Sequence, residues 1–204
     1  DLDRFRPSQV EPEPRRILFI GSFAHLPNIM ALKFFLDEAW PALRDAGATL
    51  HVIAGSRPEH YLGLYQDRVA IDLAQPGIEM ESFVSDVRPA YERAAVVIAP
   101  LLASAGTNIK IMEAMAMGRA IVSTPAGING LDLNPGLDVI VVETGAEMAR
   151  EILSLFADPA KRKRIEAAAR RTVERDYDWD RIAERQASLY RNLDQTNSSP
   201  LLSD

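Results

Sequence analysis

Six short apolar segments recur along this chain and constrain its fold. They occupy residues 16–20, 49–54, 77–84, 94–99, 120–123 and 139–142. Amphipathic or turn-forming stretches separate them, and strands that alternate with helices are typical of a parallel sheet covered on both faces. Right-handed crossovers make such a sheet doubly wound. We therefore predict an α/β fold with a Rossmann-like parallel sheet of about six strands.

The segments between and after these strands predict the helices. Pro27 suits the first turn of a helix that continues to Trp40, and Gly118 stands where a helix-ending glycine belongs. The remaining helices are expected at residues 59–64, 86–93, 107–117, 145–157, 159–175 and 179–194. Prolines and charges make residues 1–15 a linker, residues 16–194 form the domain, and the polar residues 195–204 are expected to be a disordered tail.

Composition excludes several classes of function. The formal net charge is −6, which argues against a general nucleic-acid-binding protein, and the absence of cysteine excludes disulfides and thiolate chemistry. The basic run at 161–164 has acidic neighbours and predicts a solvated helix face. No apolar stretch is long enough for a membrane span. His51 and His60 lack partners at ligand spacing, so no metal is expected. Because the chain starts at Asp1 without Met, we expect a piece of a longer protein.

The segment after the fourth strand, residues 104–113, is the strongest candidate for chemistry. Small residues at 103–106 allow a ligand close to the backbone, and the start of the following helix offers amide groups and a positive dipole to an anion. Thr107, Lys110 and Glu113 are spaced by three, which places them along one side of that helix. Lys110 would bind phosphate, and Glu113 would accept hydrogen bonds from a diol such as ribose. The alternative is that Lys110 and Glu113 pair with each other as neighbouring charges, or with partners elsewhere in the fold.

A second candidate loop follows the first strand, at residues 21–28, and opens onto the same edge of the sheet. Gly21 would allow a diphosphate to approach the chain, and His25 either contacts a phosphate or sugar or is an ordinary loop histidine. The loop lacks the G-x-G-x-x-G pattern of dinucleotide binders, and the chain has no G-K-[ST] motif. The two loops together predict a site for a nucleotide.

Residues 106–124, GTNIKIMEAMAMGRAIVST, resemble the signature of the family 4 (group 1) glycosyltransferases, retaining enzymes of GT-B fold whose C-terminal domain binds a nucleotide-sugar donor. The resemblance extends to the segments 17–21, 83–87 and 178–179. It also includes residues 1–7, which are similar to the linker that enters this domain. The resemblance therefore implies the donor-binding half of such an enzyme.

The resemblance also implies roles for individual residues. Glu113 matches the second glutamate of the family's E-x7-E motif, which binds the ribose, whereas Ala105 stands where the first glutamate would contact the sugar. The implied diphosphate contacts are Gly21, Gly106, Thr107 and Lys110. Phe83 and Val84 would lie near the nucleobase, and His25, Ser104 and Ala105 near the sugar. The family's basic pair for the diphosphate is not evident, and Arg88 and Lys33 are weaker candidates that fit surface charges better.

The implied activity is transfer of a glycosyl group from a nucleoside diphosphate sugar with retention, without a metal or other cofactor. The implied partner is an N-terminal acceptor-binding domain of the same protein. We expect a cytoplasmic location, with peripheral contact at the inner membrane face left open because such acceptors are often lipid-linked. Two other hypotheses remain: a GT-B-like epimerase or non-catalytic nucleotide-binding module, and a structural domain with a degenerate site.

Overall fold

A computed structural model describes residues 1–103 and 106–197, with side chains to residue 192. Six parallel strands form one sheet in the order β3-β2-β1-β4-β5-β6. The strands are β1 (Arg16–Ile20), β2 (Thr49–Ile53), β3 (Ile78–Glu81), β4 (Val96–Ala99), β5 (Ala120–Ser123) and β6 (Ile140–Val141). The predicted doubly wound, Rossmann-like sheet of six strands is confirmed.

Eight helices surround this sheet in the described part of the chain. They are α1 (Leu26–Glu38), α2 (Trp40–Asp45), α3 (Pro58–Tyr65), α4 (Arg88–Arg93), α5 (Ile109–Ala116), α6 (Gly145–Ala157), α7 (Pro159–Asp176) and α8 (Trp179–Asn197). A short 3-10 helix, Pro125–Ile128, follows β5. The two faces of the sheet carry separate apolar clusters, one under α1, α2 and α6 and the other under α4, α5 and α7.

Several boundaries differ from the predicted ones for local reasons. The first predicted helix is divided at Ala39, because Pro41 cannot donate a backbone hydrogen bond to the preceding turn. The third strand is confined to Ile78–Glu81, and α8 continues to Asn197, three residues beyond the predicted end of the domain. The α5 helix begins at Ile109, two residues later than predicted. These differences leave the order of elements unchanged.

The strand order reverses between β1 and β4, which are neighbours in the sheet although β2 and β3 lie between them in sequence. The loops after these two strands leave the same carboxyl edge and diverge. In open parallel sheets, ligands bind in the crevice at this switch point. The fold therefore brings the two loops that the sequence singled out to the place where such a site is expected.

Candidate functional site

The α5 helix carries the principal candidate residues and has well-defined ends. At its carboxyl end, Gly118 adopts a φ of 63°, its amide donates to the carbonyl of Met115 at 3.0 Å, and the Arg119 amide donates to Ala114 at 2.9 Å. This is the Schellman arrangement, and it confirms Gly118 as the glycine that ends the helix. The buried residues Ile111, Ala114 and Met115 attach the helix to the sheet. The candidate side chains therefore project from a rigid element.

The start of α5 has an unusual N-cap. Asn108 has extended backbone angles, yet its side chain does not cap the helix; its Nδ2 donates to the carbonyl oxygen of Gly127 at 3.1 Å. Thr107 lies before the helix and is exposed, and Gly106 has a φ of 125°. The prediction that Thr107 stands on the helix is therefore wrong, because the chain is still extended there. Lys110 and Glu113 remain one turn apart on it.

Lys110 lies half-buried and reaches across to the loop after β1. Its ammonium nitrogen is 3.3 Å from Asn28 Oδ1 and 5.7 Å from the centre of the Phe19 ring. Among the described side chains, those of residues 1–103 and 106–192, no carboxylate forms an ion pair with it. Burial lowers the pKa of Lys110 from 10.5 to about 8, although the charge of Glu113 acts in the opposite direction. A half-buried cation without a counter-ion favours an anionic ligand.

Glu113 is also half-buried, and its partner is a phenol rather than Lys110. Tyr91 of α4 is fully buried, and its hydroxyl lies 3.0 Å from Glu113 Oε2. Burial raises the pKa of Glu113, while the Tyr91 hydrogen bond and then the nearby charges of Arg4 and Lys110 lower it. Lys110 and Glu113 therefore do not pair with each other; each has a partner on another element, Asn28 for Lys110 and Tyr91 for Glu113, as the second form of the alternative allowed. Tyr91 was missed by sequence analysis because it lies 22 residues from Glu113.

Gly21 and Asn28 organise the loop after β1. A side chain at Gly21 would place a Cβ 3.0 Å from Asn28 Cγ and 3.0 Å from the Phe19 ring. Asn28 donates from Nδ2 to the Ser22 carbonyl at 2.9 Å and presents Oδ1 to Lys110. Gly21 therefore makes room for Asn28, which joins this loop to α5. The sequence suggested Gly21 as a position of close ligand approach, and its packing supplies an additional reason for glycine.

The turn after β5 supports the start of α5 from the other side. A Cβ at Gly127 would lie 2.2 Å from Ser123 Oγ and 2.5 Å from the Ala99 carbonyl, so the backbone packs too closely for a side chain. The Gly127 amide donates to Thr124 Oγ1 at 3.3 Å, and the Gly127 carbonyl accepts from Asn108. These buried contacts connect β4, β5 and α5. They fix the position of the first residues of α5 relative to the ends of β4 and β5.

The remaining candidates lie around the same edge or outside the described residues. Phe83 is 68% exposed just beyond β3, Val84 packs at the edge of the core, and His25 is an exposed residue immediately before α1. Ser104 and Ala105, the predicted sugar contacts, lie outside the described residues. The site that the structure describes is therefore the part assigned to diphosphate, ribose and base.

Arg88 and Lys33, the weaker cationic candidates, already have carboxylate partners. Arg88 donates to both oxygens of Asp86, at 2.8 and 2.6 Å, and lowers the Asp86 pKa to about 2. Lys33 pairs with Asp37 at 2.7 Å on the exposed side of α1. These geometries agree with their interpretation as surface charges. Lys110 differs from both, because its described partners are the neutral Asn28 oxygen and the Phe19 ring rather than a carboxylate.

An apolar cavity of about 300 Å³ borders Glu113 on the side of the N-terminal segment. Leu2, Phe5, Met112 and Trp179 contribute to its lining. The apolar surroundings explain why the neutral form of Glu113 is favoured relative to water. Within the described residues, no group of three or more His, Asp or Glu side chains is arranged to hold a metal ion. No helix in that part of the chain has the length and apolarity of a membrane span.

Comparison with known proteins gives these features a context. A family model described as "Glycosyl transferases group 1" matches residues 14–158, well over half of the chain. The chain belongs to the group 1 glycosyl transferases. A protein of Klebsiella pneumoniae described as "Uncharacterized 44.6 kDa protein in cps region" is 21% identical over 174 residues, which are 81% of this chain. This glycosyl transferase chain spans 43% of the length of that relative.

Solved structures show the same fold at low sequence identity. Anabaena HepE in complex with UDP and glucose matches with a TM-score of 0.73 and 16% identity, over 94% of this chain and 54% of HepE. Sucrose-phosphate synthase from Thermosynechococcus elongatus gives 0.71 and 20%, over 96% and 51%. The C-terminal domain of the group 1 glycosyl transferase LpcC from Francisella tularensis gives 0.61 and 18%, over 88% of this chain and 98% of that domain. This glycosyl transferase chain therefore has the fold of a GT-B C-terminal domain.

Proposed function

We propose that this chain is the domain of a retaining glycosyltransferase that binds the nucleoside diphosphate sugar donor. The observation that carries the proposal is Lys110, a half-buried ammonium at the switch point whose described polar partner is only the neutral Asn28 oxygen at 3.3 Å. Because burial disfavours an uncompensated charge, a bound diphosphate would supply the missing counter-ion. The backbone at Gly106 and Thr107, and the start of α5, would add hydrogen-bond donors.

The other end of the donor is assigned to Glu113 and the loop after β3. The Glu113 carboxylate would accept hydrogen bonds from the ribose hydroxyls, and it lies one helical turn beyond Lys110. The exposed Phe83 ring and the Val84 backbone would border the nucleobase. His25, together with Ser104 and Ala105, would lie near the sugar. The proposed contacts thus follow the order of groups in a nucleoside diphosphate sugar: base, ribose, diphosphate and sugar.

In the transfer step, the bond between the anomeric carbon and the diphosphate oxygen breaks, and its electron pair remains on the diphosphate. The acceptor hydroxyl forms a new bond to the anomeric carbon on the same face of the sugar, and its proton passes to the oxygen of the departing diphosphate. Lys110 and the amides around Gly106 would stabilise the negative charge that develops on the leaving group. The proposal requires no metal or other cofactor. The acceptor site belongs to a further, N-terminal domain, so this chain alone binds donor and transfers little or nothing.

Calorimetric titration with UDP, GDP and ADP tests the proposal, with UDP first because HepE is described in complex with UDP and glucose. We expect one of the three to bind. The Glu113→Ala variant should lose about 1.5–3 kcal/mol, roughly tenfold to hundredfold in affinity, if Glu113 makes a charge-assisted hydrogen bond to ribose. Glu59→Ala, an exposed glutamate on α3, is the matched control and should bind like the wild type.

Two results would contradict parts of this proposal. If the wild type and Glu113→Ala bind equally, Glu113 does not bind the ribose. The assignment of Lys110 to the diphosphate would stay in place. No binding of any of the three nucleotides would overturn donor binding and favour a structural domain with a degenerate site.

A further inference from the structure

The buried phenol of Tyr91 connects α4 with the candidate site on α5. Its hydroxyl lies 3.0 Å from Glu113 Oε2 and 3.2 Å from the Lys110 carbonyl oxygen. A phenol has a single proton to donate, and the carboxylate is both the nearer and the stronger acceptor. The proton is therefore directed at Glu113, and the Lys110 carbonyl is at most a secondary acceptor.

The hydrogen bond from Tyr91 to Glu113 is not needed merely to satisfy the buried Tyr91 hydroxyl. A fully buried phenol needs one acceptor, and the Lys110 carbonyl would satisfy it without any carboxylate nearby. Glu113, by contrast, has no ion pair with the described side chains of residues 1–103 and 106–192, and no described donor contacts its Oε1. A half-buried carboxylate with one bound oxygen therefore has acceptor capacity left for another group.

We propose that Tyr91 is a positioning residue, which holds Oε2 of Glu113 so that Oε1 faces the donor and accepts from a ribose hydroxyl. This inference rests on the proposed function, because it gives the ribose-binding carboxylate its orientation. Without the phenol hydroxyl, the Glu113 side chain would be free to rotate about its last bond, and neither oxygen would be held toward the ligand. Tyr91 itself does not touch the donor.

Two charged groups and one neutral phenol face the same carboxylate. Lys110 lies on its own helix, Arg4 comes from the N-terminal segment, and Tyr91 comes from α4. Burial is the largest influence and raises the pKa of Glu113, whereas the Tyr91 hydrogen bond is the first of the influences that lower it. Removal of the hydroxyl should therefore raise the Glu113 pKa further and protonate the carboxylate at a higher pH.

Tyr91→Phe keeps the ring and removes the hydroxyl. Dissociation constants are measured for the tightest of UDP, GDP and ADP and for its 2′-deoxy and 3′-deoxy analogues. The wild type should prefer the ribonucleotide over one of these analogues by roughly tenfold or more, and Tyr91→Phe should reduce that preference to about threefold or less. The acid limb of the affinity profile should move to higher pH. Tyr65→Phe on α3 is the control and should retain both properties.

A double-mutant cycle with Glu113→Gln separates positioning from packing. If Tyr91 acts through Glu113, Tyr91→Phe should have little further effect on ribose preference once Glu113 is replaced.

An NMR measurement on the wild type tests the same contact and does not depend on the folding of any variant. The hydroxyl proton of Tyr91, followed by NMR, should shift when the ribonucleotide binds and shift less with the analogue that binds worst.

Each outcome decides the inference. An unchanged ribose preference and acid limb in Tyr91→Phe, with Glu113→Ala still impaired, would overturn the role of Tyr91 and leave the proposed function intact. An equal loss of affinity for ribonucleotides and deoxynucleotides would show that Tyr91 has only a structural role. If the wild type binds none of the nucleotides, the proposed function fails and the inference falls with it.

Discussion

Two cations of this protein, the buried Arg16 and the half-buried Lys110, differ in what surrounds them. Arg16, at the start of β1, is 2% exposed and pairs with Glu13 at 3.2 Å and Glu79 at 2.6 Å. Lys110, near the opposite edge of the sheet, contacts the Asn28 amide oxygen and the face of the Phe19 ring. The first cation is neutralised within the fold, whereas the second has no carboxylate partner among the described side chains. This difference in charge compensation is what supports the proposal of an anionic ligand at Lys110.

The comparison extends to the carboxylates. Arg16 is the leading cause that holds the pKa of Glu79 below its usual range, and Arg93 does the same for Glu13. The pKa of Glu113 is instead raised, because burial outweighs the Tyr91 hydrogen bond and the more distant charges. The lowered pKa values of Glu13 and Glu79 show that the folded protein itself stabilises their charged forms through ion pairs. A carboxylate with a raised pKa near a lysine with a lowered one, both at the switch point of the sheet, supports the proposal that a ligand completes this site.

Lys110→Met removes the cation of the proposed ligand site and should have the largest effect. We expect nucleotide affinity to fall by about 1.5–3 kcal/mol, because the cation that faces the diphosphate is removed. The melting temperature should stay the same or rise, since a buried charge without a carboxylate partner is replaced by an apolar chain of similar length. Calorimetry and thermal unfolding measure the two effects. Arg88→Ala, whose guanidinium is bound to Asp86, is the control and should change affinity by less than about twofold.

Arg16→Met tests the structural side of the comparison. The free energy of unfolding should fall by about 1–2 kcal/mol, because two ion pairs are lost; both carboxylates are partly exposed, which keeps the loss below that of a fully buried pair. A decrease of about 2–8 °C in melting temperature is expected for a domain of this size. Nucleotide affinity of the folded variant should equal that of the wild type. A stable Arg16→Met variant with impaired binding would reverse the assignment of the two cations.

The pH dependence of binding sharpens the comparison and should be the smallest effect. The pKa of Lys110 is lowered by burial to about 8, and a bound diphosphate favours the charged form and raises that pKa. Affinity should therefore be greatest below pH 8 and decline as the pH rises through this value, by at most about tenfold per pH unit. Titrations between pH 7 and 9.5 measure the decline. It should be absent in Lys110→Met, and a decline that persists there would assign the titration to another group.

Regular features of the fold were predictable from the sequence because they depend on local patterns. The apolar runs at Arg16–Ile20 and Ala120–Ser123 match β1 and β5 at both ends. The glycine that ends α5 was also predicted, since only its backbone freedom suits that position. The start of α5 was placed two residues too early, because the asparagine that precedes it binds a carbonyl 19 residues away. Sequence spacing does not reveal such a long-range contact.

The candidate site was predicted only in part, because local spacing reveals the residues of one helix but not their partners on other elements. Lys110 and Glu113 follow from helical spacing and from the resemblance to the family, and both lie on the predicted helix. Their partners Asn28 and Tyr91 were not predicted, because they come from elements 82 and 22 residues away that meet only in the folded chain. The spacing of the two charges also suggested that they might pair with each other. The structure replaces that pair with two separate partners.

The most direct test of the central claim is to locate the nucleotide on the folded chain by amide NMR during titration with UDP, GDP and ADP. We expect the largest shifts around Gly21, Val84 and residues 106–113, at the carboxyl edge of β1 and β4, and we expect them to weaken in Lys110→Met. Residues around Arg16 and Glu79 should change little. Shifts centred on that structural ion pair, or no shifts with any of the three nucleotides, would contradict a donor site at Lys110 and Glu113.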